Sequence, residues 1–197
     1  MTDQFDAASP VWQVIERIRE EDDAQRAAGL PSSQRTRNVD RETARFLRLL
    51  MTSLKPRRVL EIGSSNGLST IFLALGVQPY GGVVIGTELL KTRAAEANDN
   101  LTLAGLEGVA RVLPGDALTT IKTIDGPFDA VFIDAEKDDY VSHFLGCIDL
   151  VSPGGVILAD NVISHDLSTY QAMLRARDDV DTVTLPIDRG IEFTVKR

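Results

Sequence analysis

The chain has 197 residues, 43% hydrophobic and 25% charged, enough for one domain with a substantial core and the composition of an ordinary globular protein. Its net charge of −8 argues against a nucleic-acid partner held through phosphates and against an anionic membrane surface. The one cysteine, Cys147, excludes an intrachain disulfide, and Met1 to Asp6 is acidic without the basic and apolar regions of a signal peptide, so the expected location is cytoplasmic.

Ser9-Pro10 reads as a helix start, with Val11, Val14, Ile15 and Ile18 at helical spacing and Gly29-Leu30-Pro31 as the stop. Residues 32–38 are polar and read as a loop. Asp40 to Leu54 is helical again, with Phe46, Leu47, Leu49, Leu50 and Leu54 as its expected buried face. Next comes Arg58-Val59-Leu60-Glu61-Ile62-Gly63-Ser64-Ser65-Asn66-Gly67-Leu68: a strand, a tight glycine turn and a helix start. Gly63 and Gly67 permit positive φ, and the helix N-terminus presents free N–H groups. A dinucleotide fingerprint would need a glycine where Ser65 stands. Glu61 would repel a pyrophosphate but suits a cationic ligand such as the sulfonium and amino groups of S-adenosylmethionine.

Strands and helices then alternate. Strands are expected at Val83 to Glu88, Val109 to Leu113, Phe128 to Asp134 and Gly155 to Asp160, each followed by a helix. Asp181 to Pro186 and Ile191 to Val195, separated by a short turn, form an antiparallel hairpin at one end of the sheet. Continuous apolar strands between helices predict an α/β fold with a parallel sheet covered on both faces. Ligands of such sheets sit beyond the C-terminal strand ends. Those ends carry Glu61-Ile62-Gly63, Glu88, Gly115-Asp116, Asp134 and Asp160-Asn161, too many acidic ends for helix capping alone. Glu88 lies at the interval expected for a carboxylate on ribose hydroxyls, and Asp116 is placed to accept from an adenine amino group, with the backbone N–H of Ala117 beside it. Capping of the helix from Ala117 is the structural alternative for Asp116. Asp134, Asp160 and Asn161 offer three oxygen side chains without sulfur, which suits a hard cation such as Mg2+. Lys137, beside such a cation, would have its ammonium form disfavoured, as a general base requires. A surface lysine paired with Asp138 or Glu136 is the alternative.

Phe-Asp-x-x-Phe-Ile-Asp-Ala-Glu-Lys-x-x-Tyr at Phe128 to Tyr140, followed by Gly-Gly-Val-Ile-x-x-Asp-Asn at Gly154 to Asn161, resembles the cation-dependent O-methyltransferases, which include caffeoyl-CoA and catechol O-methyltransferases. The resemblance runs from about Asn38 to the C-terminus. It implies a Rossmann-like seven-stranded sheet, mostly parallel with an antiparallel last strand, in a single domain over 1–197, with N-terminal helices at 1–54 and the core at 55–197. Asp134, Asp160 and Asn161 would hold the metal, with Lys137 as base. Val39, Glu61, Gly63, Ser64, Ser69, Glu88, Asp116, Ala117 and Glu136 would contact S-adenosylmethionine. His165 and Arg37 would face the substrate, a small molecule with vicinal hydroxyls such as a catechol. The resemblance also extends to a homodimer. Between Asn161 and the hairpin the chain is shorter than the plant enzymes, and Arg35 and Arg37 come close to the site. An open pocket, with a preference for carboxylated acceptors, is expected on that ground. A metal-independent methyltransferase, a nicotinamide-dependent oxidoreductase and a non-catalytic cofactor-binding module are the competing readings.

Overall fold

The computed structural model describes residues 9–31 and 34–197; Met1 to Asp6 and Ser32-Ser33 lie outside them. Two helices lead the chain, α1 (Pro10–Ala27) and α2 (Arg41–Leu54). Ser9 caps α1, its side chain accepting from the Trp12 amide at 3.4 Å. Seven strands follow: β1 (Arg58–Ile62), β2 (Val83–Glu88), β3 (Ala110–Pro114), β4 (Phe128–Ile133), β5 (Val151–Asp160), β6 (Val180–Leu185) and β7 (Ile191–Lys196). Between them lie α3 (Leu68–Val77), α4 (Lys91–Leu103), α5 (Ala117–Ile121), α6 (Tyr140–Cys147) and α7 (Ser168–Arg175). No helix among the described residues is long and apolar enough to cross a membrane.

The strands form one sheet in the order β3-β2-β1-β4-β5-β7-β6, all parallel except β7, which is antiparallel to both its neighbours. Alternate residues divide between two cores. Val59, Val84, Ala130, Phe132, Val156 and Leu158 face α1 to α4, whereas Leu60, Ile85, Val131, Ile133 and Ile157 face α5 to α7. Burial on both sides is why these strands read as unbroken apolar runs. Ile15 and Ile18 anchor α1 in the first core with no exposure, each contributing about 1.5–3 kcal/mol of apolar burial.

The buried face of α2 differs from expectation. It consists of Thr43, Ala44, Leu47 and Met51, while Leu49 and Leu54 are 57% and 45% exposed. The cause is a close crossing with α3. A Cβ on Gly76 would stand 2.5 Å from the Met51 Cβ and 2.7 Å from the Arg48 carbonyl oxygen. Gly76 on α3 allows that approach, and the α2 face that meets it carries Leu47 and Met51, so Leu49 and Leu54 turn outward. Asp40 stands at the N-cap of α2 without capping through its side chain. Asp188, from the turn between β6 and β7, accepts from the Thr43 amide at 2.6 Å and its hydroxyl at 3.0 Å instead.

Candidate active site

The turn after β1 is built around three features of its sequence. Gly63 has φ +92°, and a Cβ there would stand 2.2 Å from the Asp134 carbonyl oxygen. Glycine therefore lets the ends of β1 and β4 touch, an approach no L side chain permits. Gly67, at φ +89°, reverses the chain into α3. Ser65 holds φ +50°, uncommon for a side-chain residue. Two bonds fix it there: its amide donates to Glu88 Oε2 at 2.9 Å and its hydroxyl to the Thr36 carbonyl at 2.6 Å.

Glu61 takes a different place from the one expected of a ligand-facing carboxylate. It points into the α1–α4 side of the sheet, is fully buried, and accepts from the Ser64 hydroxyl at 2.6 Å and from the Thr70 hydroxyl. Gly86 on β2 makes the room, since a Cβ there would meet Ser64 Oγ at 2.1 Å. Burial pushes the Glu61 pKa up against the lowering effect of the hydroxyls of Ser64, Ser69 and Thr70. Its Oε1 has no hydrogen-bond partner. Glu61 thus braces the turn from beneath and does not line the cavity.

Beyond the C-terminal strand ends lies a cavity of about 530 Å³. Sheet order fixes the sequence of groups along it: Asp116 after β3, Glu88 at β2, Gly63 after β1, Asp134 after β4 and Asp160 at the end of β5. Four inter-strand steps of about 4.8 Å span about 19 Å, room for two small molecules end to end. Among the residues the sequence singled out, the cavity wall includes Val39, Gly63, Ser64, Ser69, Glu88, Asp116, Ala117, Asp134, Glu136, Lys137, Asp160, Asn161, His165 and Arg37. Asp116 also caps α5 by accepting from the Thr119 amide at 2.9 Å, and these bonds hold its carboxyl below the usual range.

The far end carries the charged cluster. Lys137 lies in a single-turn helix (Lys137–Asp139) that leads into α6. Its Nζ donates to Asp134 Oδ1 at 2.9 Å and to the Tyr140 hydroxyl at 2.6 Å, so it does not pair with Asp138 or Glu136. Tyr140 is fully buried, and its hydroxyl donates toward the Asp160 carbonyl at 3.0 Å, with the Ile133 carbonyl at 3.3 Å. Asp160 is 2% exposed, and its Oδ1 has no hydrogen-bond partner. Burial, with Asp134 nearby, raises the Asp160 pKa to about 7. Asn161, at φ +65°, donates from its side-chain Nδ2 to Asp160 Oδ2 at 3.1 Å, which turns its side-chain Oδ1 away from that bond.

Among the described residues no group of three or more His, Cys, Asp or Glu could hold a metal. The available donors are two carboxylates and an amide oxygen. One of those carboxylates, Asp160, has an orphaned, buried oxygen; the set fits a hard cation that keeps several waters, and it lacks the sulfur and imidazole that zinc takes.

Two salt bridges frame the cavity mouth. Arg37, at φ +45°, reaches Glu136 at 2.5 Å, which raises the guanidinium pKa and lowers that of Glu136. Arg189, in the β6–β7 turn, pairs with Asp40 at 2.8 Å and lines the cavity near Asn161 and His165. The Arg37 charge is therefore already matched by Glu136. Tyr140, Arg189, Thr36 and His143 had no assigned role from the sequence. Only Tyr140 carried a signal, as the final residue of the Lys-x-x-Tyr pattern; the others depend on contacts between distant segments.

A family model described as O-methyltransferase matches residues 18–196. A catechol O-methyltransferase of Mycobacterium tuberculosis is 42% identical over 146 residues, covering 74% of this chain and 64% of that protein. A second catechol O-methyltransferase, from Niastella koreensis, is 35% identical over 140 residues, covering 69% of this chain and 61% of that one. The chain thus spans about three fifths of the length of these curated relatives. The crystal structure of an O-methyltransferase from Bacillus cereus in complex with SAH superposes with a TM-score of 0.81 at 27% identity, over 94% of this chain and 91% of the other.

Proposed function

From the premise that this chain belongs to the O-methyltransferase family, we propose that it moves the methyl group of S-adenosylmethionine to a hydroxyl of a small molecule with vicinal hydroxyls, in a reaction that requires Mg2+ or a similar hard cation. The observation that carries the oxygen-acceptor reading is the cluster of Lys137, Asp134, Asp160 and Asn161, one and two strands over from the glycine turn. The names of the two curated relatives support a catechol as acceptor, and the SAH complex of the Bacillus cereus protein supports the cofactor.

Glu88 and Asp116 receive the adenosine part, and Gly63, Ser64 and Ser69 face the methionine part, with Val39 closing over them. Asp134, Asp160 and Asn161 would hold the cation, whose Lewis acidity would make an acceptor hydroxyl a stronger acid. Lys137 takes the hydroxyl proton. Its Nζ is aimed by two bonds, to Asp134 and to Tyr140, and Tyr140 is itself held by backbone carbonyls of β4 and β5. The acceptor oxygen then bonds to the methyl carbon as the carbon–sulfur bond breaks, and that bond's electron pair stays on the sulfur of the departing S-adenosylhomocysteine. The protein contributes mainly by aligning the two reactants, since the strand ends fix their order along the cavity.

The test is incubation with methyl-labelled S-adenosylmethionine and a panel of catechols, first with EDTA and then with added Mg2+. Methylation of a catechol hydroxyl that disappears with EDTA and returns with Mg2+ is expected. Methylation that survives EDTA would support a metal-independent transfer in which the Lys137–Asp134 pair alone carries the charge.

A further inference from the structure

At the β3 end of the cavity, one wall residue has no task in the reaction above. His143 lies on α6, is 7% exposed and lines the cavity with Asp116 and Ala117. Its Nδ1 is buried without a hydrogen-bond partner. Burial draws its pKa below the ordinary value, against the opposing pull of Asp139 and Asp116, so the ring is neutral at pH 7. A neutral imidazole carries one N–H and one lone pair. A buried N–H without an acceptor is rarer than an unused lone pair. The environment of Nδ1 therefore places the lone pair there and the proton on Nε2, which makes His143 a donor toward the cavity.

The neighbouring groups complete a pattern. Asp116 engages Oδ1 with the Thr119 amide, which leaves its second oxygen to accept. An acceptor from the β3 end and a donor from α6 thus face one pocket from two different elements. Adenine presents the complement: an exocyclic amino donor flanked on either side by a ring nitrogen that accepts. We propose that His143 recognises the cofactor base, its Nε2–H donating to a purine ring nitrogen while Asp116 takes the amino group. The inference rests on the cavity being an S-adenosylmethionine site, and it adds a base-specificity residue to that site.

The test is calorimetric titration of the full chain with S-adenosylhomocysteine and with its 1-deaza and 7-deaza analogues, each of which replaces one ring nitrogen by C–H. The wild type is expected to prefer the parent over one of the analogues by about three- to tenfold, the worth of a neutral hydrogen bond. In His143→Phe, which keeps an aromatic ring but no donor, parent affinity falls by a similar factor and that preference vanishes. A preference of unchanged size in the variant overturns the proposal. No preference over either analogue in the wild type overturns it too. A wild type that binds none of the three ligands overturns the cofactor reading instead, so the two failures are distinguishable. Imidazole NMR on the wild type gives a measurement free of folding effects. The parent ligand should bring the His143 Nε2–H resonance into slow exchange with water, and an unchanged exchange rate at saturation counts against the proposal.

Discussion

Gly63→Ala should damage both stability and the site, and the structure separates the two causes. The first cost is conformational: φ +92° is a region that side-chain residues rarely adopt, worth about 1–3 kcal/mol. The second is collision. The new Cβ would stand 2.2 Å from the Asp134 carbonyl oxygen and 2.8 Å from its carbon, both backbone atoms of a central strand end. Backbone yields less readily than a side-chain tip, and overpacking adds about 1–3 kcal/mol. Gly105→Ala is the control. Gly105 also has positive φ, +70°, but a Cβ there meets nothing within 4 Å, so it incurs the conformational cost alone. In a chain of this size 1 kcal/mol corresponds to about 2–4 °C in Tm. Gly63→Ala should therefore melt about 2–12 °C below Gly105→Ala and show a matching loss in urea unfolding. Titration with S-adenosylhomocysteine should show weakened binding for Gly63→Ala only, because only that change pushes the glycine turn away from β4. If both variants melt together and bind alike, relief of the Asp134 contact is not the reason for the glycine.

Further outcomes follow from individual side chains. Asp160 has a raised folded pKa, so the native state retains a proton that the unfolded chain has released; metal-free stability should fall as pH rises from about 4 to about 7 and then level off. Urea unfolding in EDTA at pH 5 and pH 8 should show that fall in the wild type, on the order of 2–4 kcal/mol, and a smaller one in Asp160→Asn; equal falls would refute the assignment. Lys137→Met should lower kcat by about 10²- to 10⁴-fold while leaving S-adenosylhomocysteine affinity unchanged, and retention of near-normal turnover would remove Lys137 as the base. Asp188→Ala takes away the two bonds that cap Thr43 and should cost about 1–2 kcal/mol, read as a lower Tm with unaltered cofactor binding.

The strands were legible because parallel strands buried on both faces read as apolar runs, and Val83 to Glu88 agrees residue for residue with β2. The grouping of acidic residues along one sheet edge followed from the same alternation. The face of α2 was not legible, because Gly76 on another helix decides which α2 residues can approach. Glu61 shows a related limit: a carboxylate at a strand end looks the same in sequence whether it faces a ligand or holds two hydroxyls beneath a turn. His143 and Arg189 reach the cavity from α6 and the β6–β7 turn, and nothing local in the sequence ties either to the residues it meets.

The direction of β7 has a consequence for how such a catalyst can diversify. Because β7 runs against its neighbours, the turn joining β6 to β7 emerges at the same edge as Asp160, and Asp160 is paired directly with Ile191. Arg189, on the hairpin tip between β6 and β7, thus joins the cavity wall at the Asp160 end. Hairpin tips tolerate insertion and replacement far better than crossovers do. On the function proposed above, the cofactor end would be committed to the architecture of the sheet, while the hairpin tip would offer an acceptor wall that drift or laboratory selection could rewrite without unsettling the rest.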